Sequence, residues 1–248
     1  TATDLSAKGL SNCYIVPEGS EAKYYSFPAQ RLNATEKLTG VEYAHILWSD
    51  RAKLITNVNY DAATGTVSFK YDGGNKEGNA MVSVFDANHN ALWTWHIWCT
   101  DEPEVVKIKN NLAPVDLTHG IMDRNIGATH TPKTPDAAKA LSLTDAADAM
   151  GLYYQYGRPS PFPRINSITG GNETTAFKGN SRMAVQYAFA RYHQSIRTAT
   201  NVYSYEDALT KYPKYFYYVG YTSATGSESS YSASGANSTW YGKSIYSS

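Results

Sequence analysis

The sequence predicts a mainly β protein: an N-terminal antiparallel β-sandwich of about seven strands over residues 1–108, then a smaller α+β domain over residues 109–248. Three observations lead there. Between Asn12 and Thr100, short β-rich runs alternate with turn residues, and no amphipathic helix lies between them. Asp101-Glu102-Pro103-Glu104 then breaks the pattern and opens a linker that runs to about Pro114. Beyond it the composition changes, since only six of the 21 tyrosines fall in residues 1–150 and the other 15 in residues 151–248.

The first expected strands are residues 12–16, closed by Pro17-Glu18-Gly19, and residues 23–27, closed by Pro28. A third covers residues 43–48. Residues 54–60 and 66–71 flank Asp61-Ala62-Ala63-Thr64-Gly65, a hairpin loop with glycine at its end. Residues 79–85 and 91–100 flank Asp86-Ala87-Asn88-His89-Asn90, where Asn and Asp can take the left-handed conformation. In the last of these runs, the period of two puts Trp93, Trp95 and Ile97 on one face and Thr94, His96 and Trp98 on the other. Two readings follow: a stacking platform for sugars, or a central strand covered on one face by the core and on the other by the following segment.

In the second half, Thr144 to Gly151 carries a cap residue, acidic first-turn residues, alanines and a terminal glycine, which predicts a short helix. Arg158-Pro159-Ser160-Pro161-Phe162-Pro163-Arg164 must be extended, because each proline biases its predecessor away from the helical region; it is a structural or a recognition loop. Residues 183–189 fit a strand or a helix equally. Ser204 to Lys211 predicts a second short helix, ended by Pro213. After Tyr221 the chain is Ser-rich with too few apolar groups for a core, and is expected to be a mobile loop or an extended segment lying on the surface. Tyr215, Tyr217, Tyr218, Tyr221 and Trp240 are the candidate ligand-binding residues, since tyrosine among serines combines rigid amphipathic area with adaptable hydrogen bonding. The competing reading is that these hydroxyls simply reach solvent.

Charge excludes one class of partner. Lysine plus arginine equals aspartate plus glutamate at 22 each, so no basic field exists to hold a nucleic acid. No apolar run is long enough to span a bilayer as a helix. The chain opens at Thr1 without a leader pattern, which suggests a processed product or an excerpt. Cys13 and Cys99 could form one disulfide or stay as buried thiols. The six histidines and two cysteines have no metal-ligand spacing, so neither a metal nor a cofactor is expected. No nucleophile elbow, phosphate loop or dinucleotide fingerprint occurs, and Asp123 with Arg124 reads as an ion bridge fixing a loop. The expectation is that this is not an enzyme.

Several words in order carry a resemblance. Ser11-Asn12-Cys13-Tyr14-Ile15-Val16-Pro17, Gly78-Asn79-Ala80-Met81-Val82-Ser83-Val84 and Leu92-Trp93-Thr94-Trp95-His96-Ile97-Trp98 resemble the "NCYIV … GNA … LWSWHIW.TD" module of Bacteroidales surface and fimbrial proteins, found in or near fimbrial tip adhesins. Met122-Asp123-Arg124-Asn125-Ile126-Gly127-Ala128 is similar to the "MDRNLGA" word that follows there. So is Gly151-Leu152-Tyr153-Tyr154-Gln155-Tyr156-Gly157-Arg158 with Pro161-Phe162-Pro163, with Tyr156 and Pro159-Ser160 as departures. Residues 203–217 and 240–246 resemble later words of the same group. The resemblance implies a second domain related to C-type lectins, which would lack its final strands if the chain ends at Ser248. It also implies an exported lipoprotein at the cell surface or outer membrane, joined to other fimbrial subunits by strand exchange and contacting a host or bacterial glycan or protein. The alternative is a carbohydrate-binding surface lipoprotein acting alone.

Overall fold

A computed structural model describes residues 1–106, 120–154, 159–162, 190–192, 210–211, 213 and 215–217. The chain is mainly β. Its strands are β1 (Thr3–Asp4), β2 (Cys13–Val16), β3 (Lys23–Pro28), β4 (Tyr43–Ser49), β5 (Ile55–Asp61), β6 (Thr66–Tyr71), β7 (Gly78–Phe85) and β8 (Ala91–Cys99). The expected runs coincide with β2 to β8. Two short ladders follow: β9 (Val105–Val106) with β10 (Ile121–Met122), and β11 (Ala190–Tyr192) with β12 (Tyr215–Tyr217). The helices α1 (Pro135–Lys139) and α2 (Leu143–Ala149) lie between.

Two four-stranded sheets are formed, in the orders β1-β3-β6-β5 and β2-β8-β7-β4. The expectation of a purely antiparallel arrangement is corrected here: β1 pairs β3 in parallel and β2 pairs β8 in parallel, so both sheets are mixed. Turn chemistry reports only hairpins, which are antiparallel by construction. Partners as remote as Cys13 and His96 leave no turn between them to read.

The hairpins form as their loops dictate. Gly65, at φ 62°, donates its N–H to Asp61 O at 2.7 Å, while the Asp61 carboxylate accepts from Ala63 N and Thr64 Oγ1. In the second loop Asp86 Oδ1 accepts from Asn88 N and Asn90 N, but the left-handed residue is His89, at φ 63°, and not an Asn or Asp. The aspartate serves the loop by accepting hydrogen bonds, leaving the positive φ to its neighbour.

One core draws from both sheets. The inward residues are Tyr25 and Phe27 on β3 and Val67, Phe69 and Tyr71 on β6; facing them are Tyr14 and Val16 on β2, Val82 and Val84 on β7, and Trp95, Ile97 and Cys99 on β8. Phe27 joins the layers, its ring lying 5.0 Å from Tyr14 and 5.1 Å from Trp95. Each such buried side chain contributes about 1.5–3 kcal/mol of transfer free energy. β7 and β8 differ from the outer strands because they are buried on both faces: Asn79, Met81, Ser83, Thr94, His96 and Trp98 turn away from this core and are still inaccessible. Of the two readings of the tryptophan strand, the covered one holds. Gly127, Ala128 and Tyr154 supply hydrogen bonds on that second face.

The cysteines are both free. Cys13 lies beside His96 in the β2–β8 register and Cys99 beside Val16, three positions along. An odd offset puts the two thiols on opposite faces of the sheet, too far apart for the Cα separation of a disulfide. Of the two readings of the cysteines, that of two thiols holds, one in the core and one on the outer face.

Helix α1 was not expected, and the helix expected from Thr144 begins earlier. Ser142, not Thr144, caps α2, its Oγ accepting from Asp145 N at 3.1 Å. Gly151 follows at φ 75°, in the stop position expected of it. The linker expected after Asp101 contains β9, paired to β10 by Val105 opposite Met122. Phe162 forms an antiparallel bridge with Tyr153, and Ser160 and Phe162 are wholly buried, so the described residues of the proline stretch, 159–162, fit the structural reading. Residues 183–189 lie outside the described residues, as does the helix expected over residues 204–211 apart from Thr210 and Lys211, which are helical.

Candidate functional site

The outer face of β7 and β8 holds a buried polar chain. Asn79 Nδ2 donates to Asp50 Oδ2 at 2.8 Å and to Gly127 O at 3.0 Å, and Asn79 N donates to Asp50 Oδ1 at 2.6 Å. With both amide protons committed, Asn79 Oδ1 must accept, and it lies 2.8 Å from His96 Nε2. His96 therefore carries its proton on Nε2 and offers the Nδ1 lone pair. Two donors approach that nitrogen, the Cys13 thiol at 3.2 Å and the Tyr154 hydroxyl at 3.3 Å. Trp98 stacks beside the imidazole, 6.2 Å between centroids, and donates Nε1–H to Ala128 O at 3.1 Å.

Thiol, imidazole and amide stand in the order nucleophile, base and orienting group. The electrostatics oppose that use. Burial lowers the His96 pKa to about 3 and pushes the Cys13 thiol up to about 12. Cys13 keeps some exposed surface as an edge-strand residue, but its sulfur lies against His96 of β8. Burial also raises the Tyr154 hydroxyl. An activated cysteine needs a thiolate beside an imidazolium, and this site disfavours both charges. The chain acts as a polar clamp between the sheet and residues 127–154.

A second cluster closes the seam beside β9 and β10. The Arg124 side chain is only 3% exposed; Nε and Nη2 donate to the two oxygens of Asp123 at 2.8 and 3.0 Å, and Nη1 and Nη2 reach Asp101. Nη1 also donates to Thr100 Oγ1 at 3.3 Å, and Lys133 reaches Asp123 Oδ2 at 3.3 Å. Hydrogen bonding to Arg124 holds the Asp123 and Asp101 carboxyls below their usual range. The ion bridge read from Asp123-Arg124 is present, with Asp101 as a further member. Against this cluster lies an open cleft of 480 Å³ whose walls include Met122, Asn125, Ile126 and His130.

Tyr215 and Tyr217 lie in β12, paired with Ala190 and Tyr192 of β11, and Tyr218, Tyr221 and Trp240 lie outside the described residues. Sequence reading missed Asp50, Asn79 and Tyr154. Asn79 did carry a signal: an amide inside the apolar run Ala80-Met81-Val82 must find buried partners. No protein-family model and no curated protein matches the chain.

Proposed function

We propose that the chain is a cell-surface adhesion protein, a fimbrial tip-type subunit that presents a ligand-binding region. The supporting observation is that the words carrying the resemblance converge in space. Cys13 of the first word meets His96 of the third, Asn79 of the second bonds His96 and Gly127, and Trp98 bonds Ala128 of the fourth. Tyr154 of the fifth reaches His96, and Leu152 N donates to Ile126 O at 3.0 Å. One hydrogen-bonded unit built from those words is what a single module requires; words scattered over unrelated surfaces would weigh against it.

In this reading the two sheets form a β-sandwich. Counting β1 as A and β3 to β8 as B to G gives the ABED and CFG orders of immunoglobulin-type Greek keys, with β2 added beside G. The C-terminal tyrosine-rich part is the lectin-like, ligand-contacting region, and the mature protein is an exported lipoprotein of the outer membrane. Assembly is by strand exchange at the β2 edge, where β2 pairs only with His96–Cys99 of the longer β8.

Val16 lies opposite Cys99, so Val16→Cys would place two thiols on neighbouring strands in disulfide range. The oxidised variant is expected to be excluded from surface polymers, and reduction to restore incorporation. Incorporation that persists with the bond closed would rule out exchange at this edge. If instead glycan-array binding is lost in Tyr217→Ala or Tyr218→Ala and the protein joins no polymer, the stand-alone carbohydrate-binding reading takes its place.

A further inference from the structure

The word Met122 to Ala128 contains two kinds of residue. Asp123 and Arg124 are consumed in the ion cluster, and Gly127 and Ala128 give their carbonyls to Asn79 and Trp98. The side chains of Met122 and Ile126 have no such duty, and with Asn125 they line the 480 Å³ cleft. That volume lies in the range in which proteins hold small molecules or single side chains of a partner. Ile121, 57% exposed, and Ile126, 40% exposed, are among the largest exposed apolar side chains of the described residues, and both are on its wall with Pro132. Two apolar side chains left in water at one concavity are an unmet burial of the kind that marks a binding surface.

The polar lining defines the chemistry. All five N–H groups of Arg124 are engaged by Asp123, Asp101 and Thr100, and both oxygens of Asp123 accept hydrogen bonds. A charged ligand would have to break this cluster to find a counter-ion. Asn125 donates one amide proton to Met150 O and retains further capacity, and His130 stands in the same wall. Thr131 also lines the cleft, with its Oγ1 buried and unpartnered among the described residues. Among the described residues no Trp, Tyr or Phe belongs to the lining, so these walls do not offer the flat surface on which sugar rings stack. Aliphatic walls interspersed with amide-competent groups match an apolar side chain and its flanking peptide bonds.

We propose that this cleft receives an uncharged aliphatic side chain together with its adjoining amide groups, presented by a partner protein. The site goes beyond the adhesive reading and is built from other residues than the candidate tyrosines, so either can fail alone. The probe is N-acetyl-leucinamide, titrated into the full chain while isoleucine and methionine methyl NMR signals are followed. Saturable shifts are expected at Ile121, Met122 and Ile126, with binding at least tenfold weaker for N-acetyl-leucine and for leucinamide, which add a negative or a positive charge. Ile126→Asp should abolish the shifts; Ile121→Asp, at the more exposed position, should do the same and decides the matter if the first variant does not fold. Absence of saturation, shifts confined to other methyls, equal affinity for the charged analogues, or tighter saturation of the same methyls by N-acetylglucosamine would each overturn the proposal.

Discussion

His96 is the residue on which the outer face turns, and its titration gives it a measurable signature. Unfolded, the imidazole protonates near 6.5; folded, burial holds it neutral down to about 3. Between those values the unfolded chain binds a proton that the folded chain does not, so stability must fall as the pH is lowered. The slope is about 1.4 kcal/mol per pH unit for one proton, and this group contributes none above its unfolded pKa. Asp101 and Asp123, depressed by Arg124, add a loss at lower pH, where their folded forms take up protons. Comparison with His96→Gln separates the two causes, since the variant keeps the aspartates. Denaturant titrations at pH 7.5 and pH 4.5 are expected to show wild type losing roughly 2–3 kcal/mol more than the variant, given the slope above. Parallel losses would mean that His96 is not held neutral by its surroundings.

Among the elements, strands were legible and their long-range partners were not. β5 with β6 and β7 with β8 were readable because Gly65 and Asp86 mark their turns, and the glycine that stops α2 was readable as well. The parallel pairings of β1 and β2 had no local marker, and Ser142 and Thr144 are both competent caps, so only packing decides between them. The candidate site was less legible still: its histidine and tryptophans were visible, but the hydrogen-bonded chain around His96 draws on Asp50, Asn79 and Tyr154, which sequence alone does not bring together. The element that joins them is the turn at Gly127. It sits at φ 85°, and a Cβ there would lie 2.5 Å from Leu152 Cγ and 3.1 Å from Asn79 Oδ1. Gly127→Ala must strain the backbone and push Leu152 aside, disturbing the carbonyl that Asn79 binds. Hydrogen exchange should rise at the amides of Ala128, Thr129 and Leu152, while the β6 amides keep their protection. Uniform loss across both regions would show that the turn and the sheets open as one cooperative unit.

At the scale of the whole molecule, the sequence suggests a division at residue 108, and the contacts describe what such a division would uncover. The sheet β2-β8-β7-β4 presents Trp48, Met81, His96 and Trp98 on its outer face, each at most 1% exposed. Their cover comes from later in the chain: Gly127 and Ala128 through their carbonyls, Tyr154 through its hydroxyl, and Asp148 through its ion pair with Arg51. Cutting at residue 108 would expose two tryptophans and a methionine side by side, together with a histidine and an asparagine stripped of partners. Contiguous apolar surface of this kind drives association, and the orphaned amide adds about 1–3 kcal/mol of destabilisation. A fragment of residues 1–108 is therefore expected to bind a hydrophobic dye strongly and to self-associate in ultracentrifugation. A fragment of residues 1–162, which retains the covering turn and Tyr154, should do neither. The comparison discriminates because both fragments contain the same two sheets and the same inner core. If residues 1–108 are monomeric and dye-silent, the outer face is stable in water without its cover, and the clamp through Asn79 and His96 fixes the position of the second half without stabilising the first.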